Sequence, residues 1–506
     1  MLSGIALTLG YMALFLVFIS KMKFFRIGNI PVRWFQGVFV LKVLSGFLLY
    51  LVYTYYYTDR STADIWKYYD DAMVMYSALR EHPMDYVKML LGIGNDTAYF
   101  EQYYDRMNHW YRPYGSSIAN DTHTIIRFNA FVRLFSLGYY NVHSVVANFL
   151  ALVGLTGILH FLRQMAPAKE KWFFMGVFLM PGMMFWASGV LKEPLLLFGL
   201  GMLLYAVQGL SEKGVDVGRS VLILLSLGVL ITVKSYALVA ILPGVFAWQI
   251  CRRYVGLHPA MVFTGVHLLL GVGVLLSAHL FPEKDPLDRL AQKQLEFYRL
   301  AEGGTYVQTL QGDTLYIYPK YYDKLLFSDD KKQLVPLSEV GAIEWRKAGT
   351  LNKELVLLNG KDQLTVLLDY GKTGSTIAIP KLEPSVASIL KAMPTALMNA
   401  LFRPFPWEIR SPFIALSGAE NLIIILLLLL TVVLFSKEAL GHPIFYVAVF
   451  FALIILVLTG LVTPVIGAIV RYKVPALPFL ACACLAIINT DRIEKYLTDI
   501  LKKTGN

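Results

Sequence analysis

Apolar runs of roughly 20 residues recur from one end of the chain to the other, and polar stretches separate most of them. A helix of that length crosses the ~30 Å hydrocarbon core of a bilayer and satisfies its own backbone hydrogen bonds there. The pattern predicts an all-α polytopic membrane protein with about eleven transmembrane helices. The predicted spans cover residues 2–20, 34–57, 142–162, 172–190, 194–210, 221–233, 237–250, 258–281, 412–435, 444–463 and 474–489.

Positively charged residues fall in alternate loops between these runs, at 21–33, 163–171, 213–219 and 252–253, and again in the last segment, 491–506. Cytoplasmic loops of membrane proteins carry an excess of Lys and Arg. The bias therefore predicts an N-terminus outside and a C-terminus in the cytoplasm. The last segment has apolar residues on one helical face and lysines on the other, which predicts an amphipathic cytoplasmic tail on the inner membrane surface.

This topology leaves two large segments outside the membrane. The first, 58–142, is acidic and aromatic, and its pattern predicts surface helices at 62–80 and 125–136. The second, 282–410, opens with a predicted helix at 287–302. The rest of the chain comprises the first two transmembrane helices (1–57), helices three to eight (143–281) and helices nine to eleven (411–490).

Short strand-like runs follow the helix at 287–302 and predict a small β-rich extracytoplasmic insert at about 305–380. An Asn359-Gly360 pair lies between two of these runs, and Asn-Gly is a strong signal for a two-residue hairpin turn. The predicted strands cover residues 314–318, 341–347, 353–358, 363–367 and 375–379.

Composition agrees with a membrane protein whose surroundings are the lipid bilayer. The chain has 506 residues, of which 56% are hydrophobic and only 16% are charged, whereas a soluble domain carries about 25% charged residues. The net charge of +11 comes largely from the loops that set orientation, so it predicts no nucleic-acid partner. The three cysteines have neither a zinc-ligand spacing nor the pattern of a disulfide framework.

An acidic stretch directly follows the second apolar run. It contains four carboxylates, at Asp59, Asp64, Asp70 and Asp71. A carboxylate at the mouth of a membrane helix suits a general base or a metal ligand. Asp64 and Tyr68 share one face of the predicted helix, so Asp64 is the first candidate and Asp59 the second. For each carboxylate taken singly, a solvated loop is the alternative interpretation.

Positively charged side chains lie at or near the predicted outer ends of several spans. They are Lys192, Lys234, Arg403 and Arg471, and Arg127 lies on a predicted surface helix of the first outer segment. If they converge, such groups suit a phosphate or pyrophosphate presented from the bilayer. The alternative is that each of them only anchors a helix end at the membrane surface.

The order of these elements resembles the GT-C class of polytopic glycosyltransferases, which take a sugar from a polyprenyl-phosphate or polyprenyl-pyrophosphate carrier at the outer leaflet. The segment 64–68, Asp-Ile-Trp-Lys-Tyr, resembles the opening of the first outer loop in that class. The segment 471–478, Arg-Tyr-Lys-Val-Pro-Ala-Leu-Pro, matches a pattern at the start of a late span in several members. The segments 188–193 and 401–408 resemble segments of bacterial surface-polysaccharide proteins, a group that includes polymerases.

The chain departs from the usual pattern of that class in three ways. An extra span precedes the acidic loop, the adjacent pair Asp70-Asp71 makes the choice of carboxylate ambiguous, and the β-rich insert precedes the late spans. These departures bear on the assignment of individual residues more than on the class.

The resemblance implies roles for the residues singled out above. Positive groups would hold the carrier phosphate and neutralise it as it leaves, a carboxylate would accept the proton of the acceptor hydroxyl, and aromatic rings would contact the sugar or the acceptor. A divalent cation near the acidic loop is compatible with these roles, although no ligand spacing requires one. The implied phosphate ligands are Arg471, Lys192, Lys234, Arg403 and Arg127, the implied base is Asp64 or Asp59, and the implied aromatic contacts are Tyr68 and Trp66.

We therefore expect an integral membrane glycosyltransferase of the bacterial inner membrane. It would move a sugar from a polyprenyl-linked donor to a saccharide, lipid or protein acceptor on the extracytoplasmic face. The alternatives are a polysaccharide polymerase or ligase that relies on arginines, a lipid-linked sugar transporter, and an envelope scaffold. Most charges lie near span ends and no inverted repeat is visible, which favours outer-face chemistry over transport.

Overall fold

The structure is a computed structural model. It describes residues 2–57, 60, 63–107, 109–110, 120–282, 285–302, seven strands between 306 and 367, and residues 375–409 and 411–495. The helices are α1 (Leu2–Lys21), α2 (Val32–Tyr55), α3 (Asp64–Glu81), α4 (Pro83–Leu91), α5 (Glu101–Tyr104), α6 (Asp121–Ser136), α7 (Tyr140–Leu162), α8 (Glu170–Phe178), α9 (Pro181–Trp186), α10 (Glu193–Lys213), α11 (Val217–Arg253), α12 (Pro259–Leu280), α13 (Pro286–Glu302), α14 (Val386–Phe402), α15 (Pro412–Val433), α16 (Pro443–Val462), α17 (Ile466–Tyr472) and α18 (Leu477–Ala486).

Within the described residues, nine helical segments are long and apolar enough to cross a membrane. The chain is therefore an α-helical protein of multi-pass membrane type, as the apolar runs predict, while the count of eleven spans stays a prediction. The nine segments are α1, α2, Tyr140–Met165, α10, α11, α12, Ile414–Val433, α16 and Ile466–Ala486.

Helix α11 doubles back on itself at Lys234. Its backbone leaves the helical region there, with φ −154° and ψ 78°. Near one end of α11, the Arg219 side chain lies against Gly209, and near the other end Arg252 Nη2 donates to the carbonyl of Ser211 at 2.9 Å. Both ends therefore meet the C-terminal end of α10. The two short spans predicted at 221–233 and 237–250 correspond to the two arms of this hairpin.

The predicted span 172–190 is wrong as a continuous helix. It consists of the short helices α8 and α9 followed by a loop that leads to α10. Pro181 begins α9, because proline has no N–H to lose at a first helical position but cannot continue a helix. The buried Lys42 Nζ of α2 then donates to the carbonyls of Met183 (3.3 Å) and Ala187 (2.8 Å) and to Ser188 Oγ (3.0 Å). One lysine therefore satisfies the C-terminal end of α9.

The last predicted span, 474–489, also differs in the structure. Helical backbone begins at Ile466, eight residues earlier, and a 3₁₀ turn at Val474–Ala476 separates α17 from α18. Pro475 lies within this turn and Pro478 in the first turn of α18, and each lacks the backbone donor that a continuous helix would need there, which accounts for the break. Arg471 consequently lies in the last turn of α17 instead of preceding the span.

Helices α7 and α10 pack closely against each other through glycines. A side chain on Gly154 of α7 would meet the carbonyl of Leu197, and one on Gly201 of α10 would meet the backbone of Gly154. Small residues on the facing sides of two membrane helices let them pack backbone against backbone. Helices α2 and α8 pack against α7, and α11 packs against α10, so the α7–α10 pair lies at the centre of this group.

Contacts at the two ends of the bundle agree with the relative sidedness predicted from charge. At one end, Ser3 Oγ near the start of α1 lies 2.7 Å from Tyr139 Oη in the first outer segment. At the opposite end, Lys169 Nζ donates to the carbonyl of Ile488 at 2.6 Å, and Trp172 Nε1 donates to Glu494 Oε1 at 3.0 Å. Most of the predicted amphipathic tail, from 496 to 506, lies outside the described residues.

Seven short strands lie in the segment predicted to be β-rich and form one antiparallel sheet of order β3-β4-β7-β1-β2-β5-β6. That this sheet forms a separate domain at 305–380 stays a prediction. The strands are β1 (Tyr306–Thr309), β2 (Thr314–Tyr316), β3 (Leu325–Phe327), β4 (Gln333–Pro336), β5 (Val340–Arg346), β6 (Lys353–Leu358) and β7 (Leu364–Leu367).

Two predictions for this segment are wrong. The Asn359-Gly360 pair lies outside the described residues, and the strands that precede and follow it are not neighbours in the sheet, since β6 pairs with β5 while β7 pairs with β1 and β4. Pairing between distant strands overrides the local turn signal. The run 375–379 is not a strand of the sheet. Thr376 makes a single bridge with Val465, and the run lies beside the start of α17.

Candidate functional site

The Arg471 guanidinium joins two carboxylates that come from opposite parts of the chain. Its Nε and Nη2 donate to the two oxygens of Glu193, at 2.7 and 3.2 Å, and its Nη1 donates to Asp64 Oδ2 at 2.6 Å. The Arg471 side chain is 16% exposed. Buried Ile469 and Val470 fix the neighbouring face of α17. The fork of the guanidinium is thus shared between one bidentate and one single-bonded carboxylate.

Asp64 stands at the first position of α3, where the helix N-terminus favours a negative charge. Its side chain is 30% exposed, so one side of the carboxylate is open. Burial alone would raise the pKa of Asp64, but the positive charges of Arg471 and Lys192 together with the Arg471 hydrogen bond hold it well below its usual range. Asp64 is therefore ionised and, while paired with Arg471, a weak base.

Glu193 was not singled out in the sequence as a functional residue. It lies in the first turn of α10, directly before Pro194, and its side chain is 3% exposed. A carboxylate almost fully withdrawn from water needs a charged partner, and Arg471 supplies it through two hydrogen bonds. The available sequence signal was an acidic residue beside Lys192 in a segment that is otherwise apolar.

A second group of charges lies beside the first. Lys192 Nζ is 2.7 Å from Asp121 Oδ2, and Lys234 Nζ is 3.5 Å from the same oxygen. The ring centre of Tyr68 is 5.2 Å from Lys192 Nζ, and that of Tyr472 is 5.1 Å from Lys234 Nζ. Adjacent residues Lys192 and Glu193 thus connect the two groups. We name the whole set the outer charge cluster: Asp64, Asp121, Glu193, Lys192, Lys234 and Arg471.

Asp121 joins this cluster because α6 begins four residues earlier than predicted. The side chain of Asn120 caps the helix and accepts hydrogen bonds from the backbone N–H groups of Thr122 (3.0 Å) and His123 (3.3 Å). Asparagine is a preferred N-cap residue. The sequence therefore contained a signal for this start, and with it the position of Asp121.

The structure brings five of the predicted site residues together: Asp64, Tyr68, Lys192, Lys234 and Arg471. Most of them come from segments far apart in the chain, so their meeting is a property of the fold. Asp59, the second candidate base, lies outside the described residues. The functional roles of all these residues stay predictions.

The other three predicted site residues have different partners. Trp66 Nε1 donates to the Tyr53 carbonyl at 3.1 Å, and the Arg60 guanidinium lies 3.8 Å over its ring. Arg127 Nε donates to the Met89 carbonyl at 2.8 Å, and burial lowers its pKa. Arg403 Nη1 donates to Glu408 Oε1 at 2.8 Å. Each stabilises its local segment through these contacts, and none is placed in the outer charge cluster by them.

A cavity of about 300 Å³ opens beside Arg471. Its walls come from the C-terminal ends of α2 and α9 and from α17, and they include Tyr53, Tyr57, Trp186 and Tyr472. A side chain on Gly467 would meet open space. The cavity thus offers aromatic and apolar walls with Arg471 among its lining residues, which suits an amphiphile with an anionic group.

A third set of charges lies two residues beyond Arg471 and is sealed. Lys473 Nζ is 3.3 Å from Glu420 Oε1, both side chains are 0% exposed, and Lys473 also donates to Asn421 Oδ1 at 2.7 Å. Glu420 Oε2 accepts from the N–H of Gly182 at 2.5 Å. This network ties α15 to α9 and α17. The sequence signal was Glu420-Asn421 inside an apolar run, where polar residues are rare and usually paired.

Among the residues that the structure describes, no group of three or more His, Cys, Asp or Glu side chains is arranged to hold a metal ion. The carboxylates of the outer charge cluster contact cationic side chains instead. A divalent cation at the acidic loop stays a prediction.

Comparison with known proteins adds no relative. No protein-family model, no curated protein and no solved structure matches this chain.

Proposed function

We propose that this protein is a membrane glycosyltransferase that takes a sugar from a polyprenyl-phosphate carrier at the extracytoplasmic face of a bacterial inner membrane. The observation that carries the proposal is the position of Arg471, which lies in the wall of an aromatic cavity and is bonded to Asp64 at the same time. A side chain that can bind phosphate and a potential base are thus in direct contact.

The chemistry assigns a role to each part of this arrangement. The apolar walls hold the first part of the carrier chain, and Arg471 binds the phosphate that links the chain to the sugar. As the glycosidic bond breaks, its electron pair goes to the leaving phosphate oxygen, whose charge Arg471 stabilises. Asp64 accepts the proton of the acceptor hydroxyl, whose oxygen forms the new bond to the anomeric carbon. Direct displacement inverts that centre.

A polysaccharide polymerase or ligase is the second candidate function. The observation that favours it is the pairing of Asp64 with Arg471, which makes Asp64 a weak base in this state. A polymerase or ligase using the same lipid-linked donor would rely on the positive groups and would need no aspartate as base. The two functions differ in the effect of Asp64→Asn and in the length of the saccharide product.

The test uses lipid-linked sugar pools in the native host. Deleting the gene is expected to raise the pool of polyprenyl-linked sugar, measured by mass spectrometry of extracted lipids. Wild-type protein restores the pool, whereas Asp64→Asn and Arg471→Gln do not, although both are present in the membrane. Restoration by Asp64→Asn favours the polymerase or ligase.

A matched control lies on the same helix. Asp70 pairs with Arg60 at 2.6 Å, and neither residue lines the cavity, so Asp70→Asn is expected to restore the pool like the wild type. An unchanged pool in the deletion strain would contradict the proposal and leave the scaffold interpretation.

A further inference from the structure

The two carboxylates that hold Arg471 are not equivalent. Glu193 makes two hydrogen bonds and is 3% exposed, whereas Asp64 makes one and is 30% exposed. A group that arrives from outside meets the exposed partner first. Only one hydrogen bond, the one between Arg471 and Asp64, then has to break. Water can hydrate the released carboxylate because Asp64 is partly exposed.

The cavity leads to the guanidinium. Arg471 and Tyr472 both line it, and the Arg471 side chain is 16% exposed. An anion in the cavity can therefore reach Arg471 without first separating α17 from α10, which the bidentate bond to Glu193 holds together. Phosphate oxygens match guanidinium donors as well as carboxylate oxygens do.

We propose that Arg471 exchanges partners: a phosphate group entering through the cavity replaces Asp64, while Glu193 keeps its two bonds and positions the guanidinium. Glu193 is then a positioning residue, and Asp64 occupies the phosphate site until the ligand arrives. This inference rests on the proposed function and adds an order of events, with donor binding before activation of the base.

The exchange resolves the weakness of Asp64 as a base. Arg471 is the largest of the charges that lower the pKa of Asp64, and a bound phosphate neutralises it. Release from Arg471 therefore raises the proton affinity of Asp64 at the moment when a donor is in place. Without a bound lipid-linked sugar, Asp64 stays paired with Arg471 and the acceptor hydroxyl keeps its proton.

The test measures binding of farnesyl phosphate to the full-length protein in nanodiscs of zwitterionic lipid. Asp64→Asn removes the competing negative charge and is expected to tighten binding about tenfold, although it abolishes transfer. Glu193→Gln is expected to weaken binding about tenfold, because Arg471 loses its support and can give both donors of its fork to Asp64. The double variant, which has no competing carboxylate, regains most of the affinity lost in Glu193→Gln.

Three further arms complete the experiment. Farnesol, which lacks the phosphate, is expected to bind wild type and Asp64→Asn equally, and inorganic phosphate to bind more weakly than farnesyl phosphate because it gains nothing from the apolar walls. Asp70→Asn is expected to leave every affinity unchanged. Inorganic phosphate binding as tightly as farnesyl phosphate would overturn the lipid assignment of the cavity.

Two results separate the inference from the proposed function. If Asp64→Asn weakens farnesyl phosphate binding or leaves it unchanged while Arg471→Gln abolishes it, the partner exchange is wrong and the donor site stands. If farnesyl phosphate binds to none of the proteins, both fall. Should Glu193→Gln fail to fold, the pair Asp64→Asn and Asp70→Asn still decides the question.

Discussion

Arg471 and Lys473 are two residues apart and lie in contrasting surroundings. Lys473 and its partner Glu420 are 0% exposed, and Asn421 completes the contact. Arg471 is 16% exposed, borders a cavity and shares its donors between a buried and a partly exposed carboxylate. One turn of the chain therefore carries a sealed ion pair and an open one.

The degree of burial separates a charged pair that stabilises the fold from one that can bind a ligand. Removing one partner of a sealed pair leaves an uncompensated charge out of water, which is strongly destabilising. An open pair can change partners, because water and incoming anions reach it. The Lys473–Glu420 pair holds the end of α17, and with it Arg471, in place beside the cavity. The pair that Arg471 forms with Asp64 is available for binding.

The largest effect is expected from breaking the sealed pair. Glu420→Gln leaves the Lys473 ammonium without a counter-charge at 0% exposure, and we expect a loss of about 3–5 kcal/mol in unfolding free energy. Thermal unfolding of the purified protein in nanodiscs measures it. Asp64→Asn is the matched carboxylate-to-amide change in the open cluster, and equal losses in the two variants would contradict the division.

Exchanging the two cationic side chains is expected to give opposite effects at the two positions. Arg471→Lys replaces a three-bond fork by an ammonium and is expected to weaken farnesyl phosphate binding about 100-fold with little change in stability. Lys473→Arg forces a larger group into a sealed site and is expected to destabilise by about 1–3 kcal/mol with binding retained. Titration and thermal unfolding of both variants check this, and the same profile for both swaps would refute it.

A smaller effect is expected from the lysine that holds the loop before α10. Lys42→Met leaves the carbonyls of Met183 and Ala187 without their donor, at a cost of about 1–3 kcal/mol. Because this loop carries Lys192 and Glu193 to the outer charge cluster, phosphate affinity should fall as well. Denaturation and farnesyl phosphate titration would show both effects, and a stable variant with full affinity would exclude this role for Lys42.

The smallest effect concerns pH. The charges of Arg471 and Lys192 hold the pKa of Asp64 well below its ordinary value of 3.8, so the stabilising contribution of this carboxylate is complete above that value and is lost only as pH falls through the lower folded pKa. The difference in melting temperature between wild type and Asp64→Asn should therefore stay constant from pH 8 to pH 5. A difference that already shrinks over this interval would mean that the pKa of Asp64 is higher, and its pairing with Arg471 weaker, than the structure indicates.

The local sequence was sufficient for the membrane class and for the first members of the site. Runs such as 34–57 and 444–463 become helices because their apolar length leaves the backbone no other way to satisfy its hydrogen bonds in lipid. Asp64 and Arg471 could be chosen because a charge at the end of an apolar run is costly and seldom accidental. Each of these signals, an apolar run and a charge at its end, lies within one short stretch of the chain.

The sequence did not reveal which charged residues pair with each other. Glu193 and Arg471 are separated by 278 positions and Asp64 and Arg471 by 407, and no local pattern encodes how α3, α10 and α17 pack. The same limit explains the β6–β7 connection, which a turn signal suggested and strand pairing overruled. Local patterns determine which segments become helices, since that choice depends on short stretches of chain. Only the packed structure decides which charges meet and which of them remain open, because that depends on every helix at once.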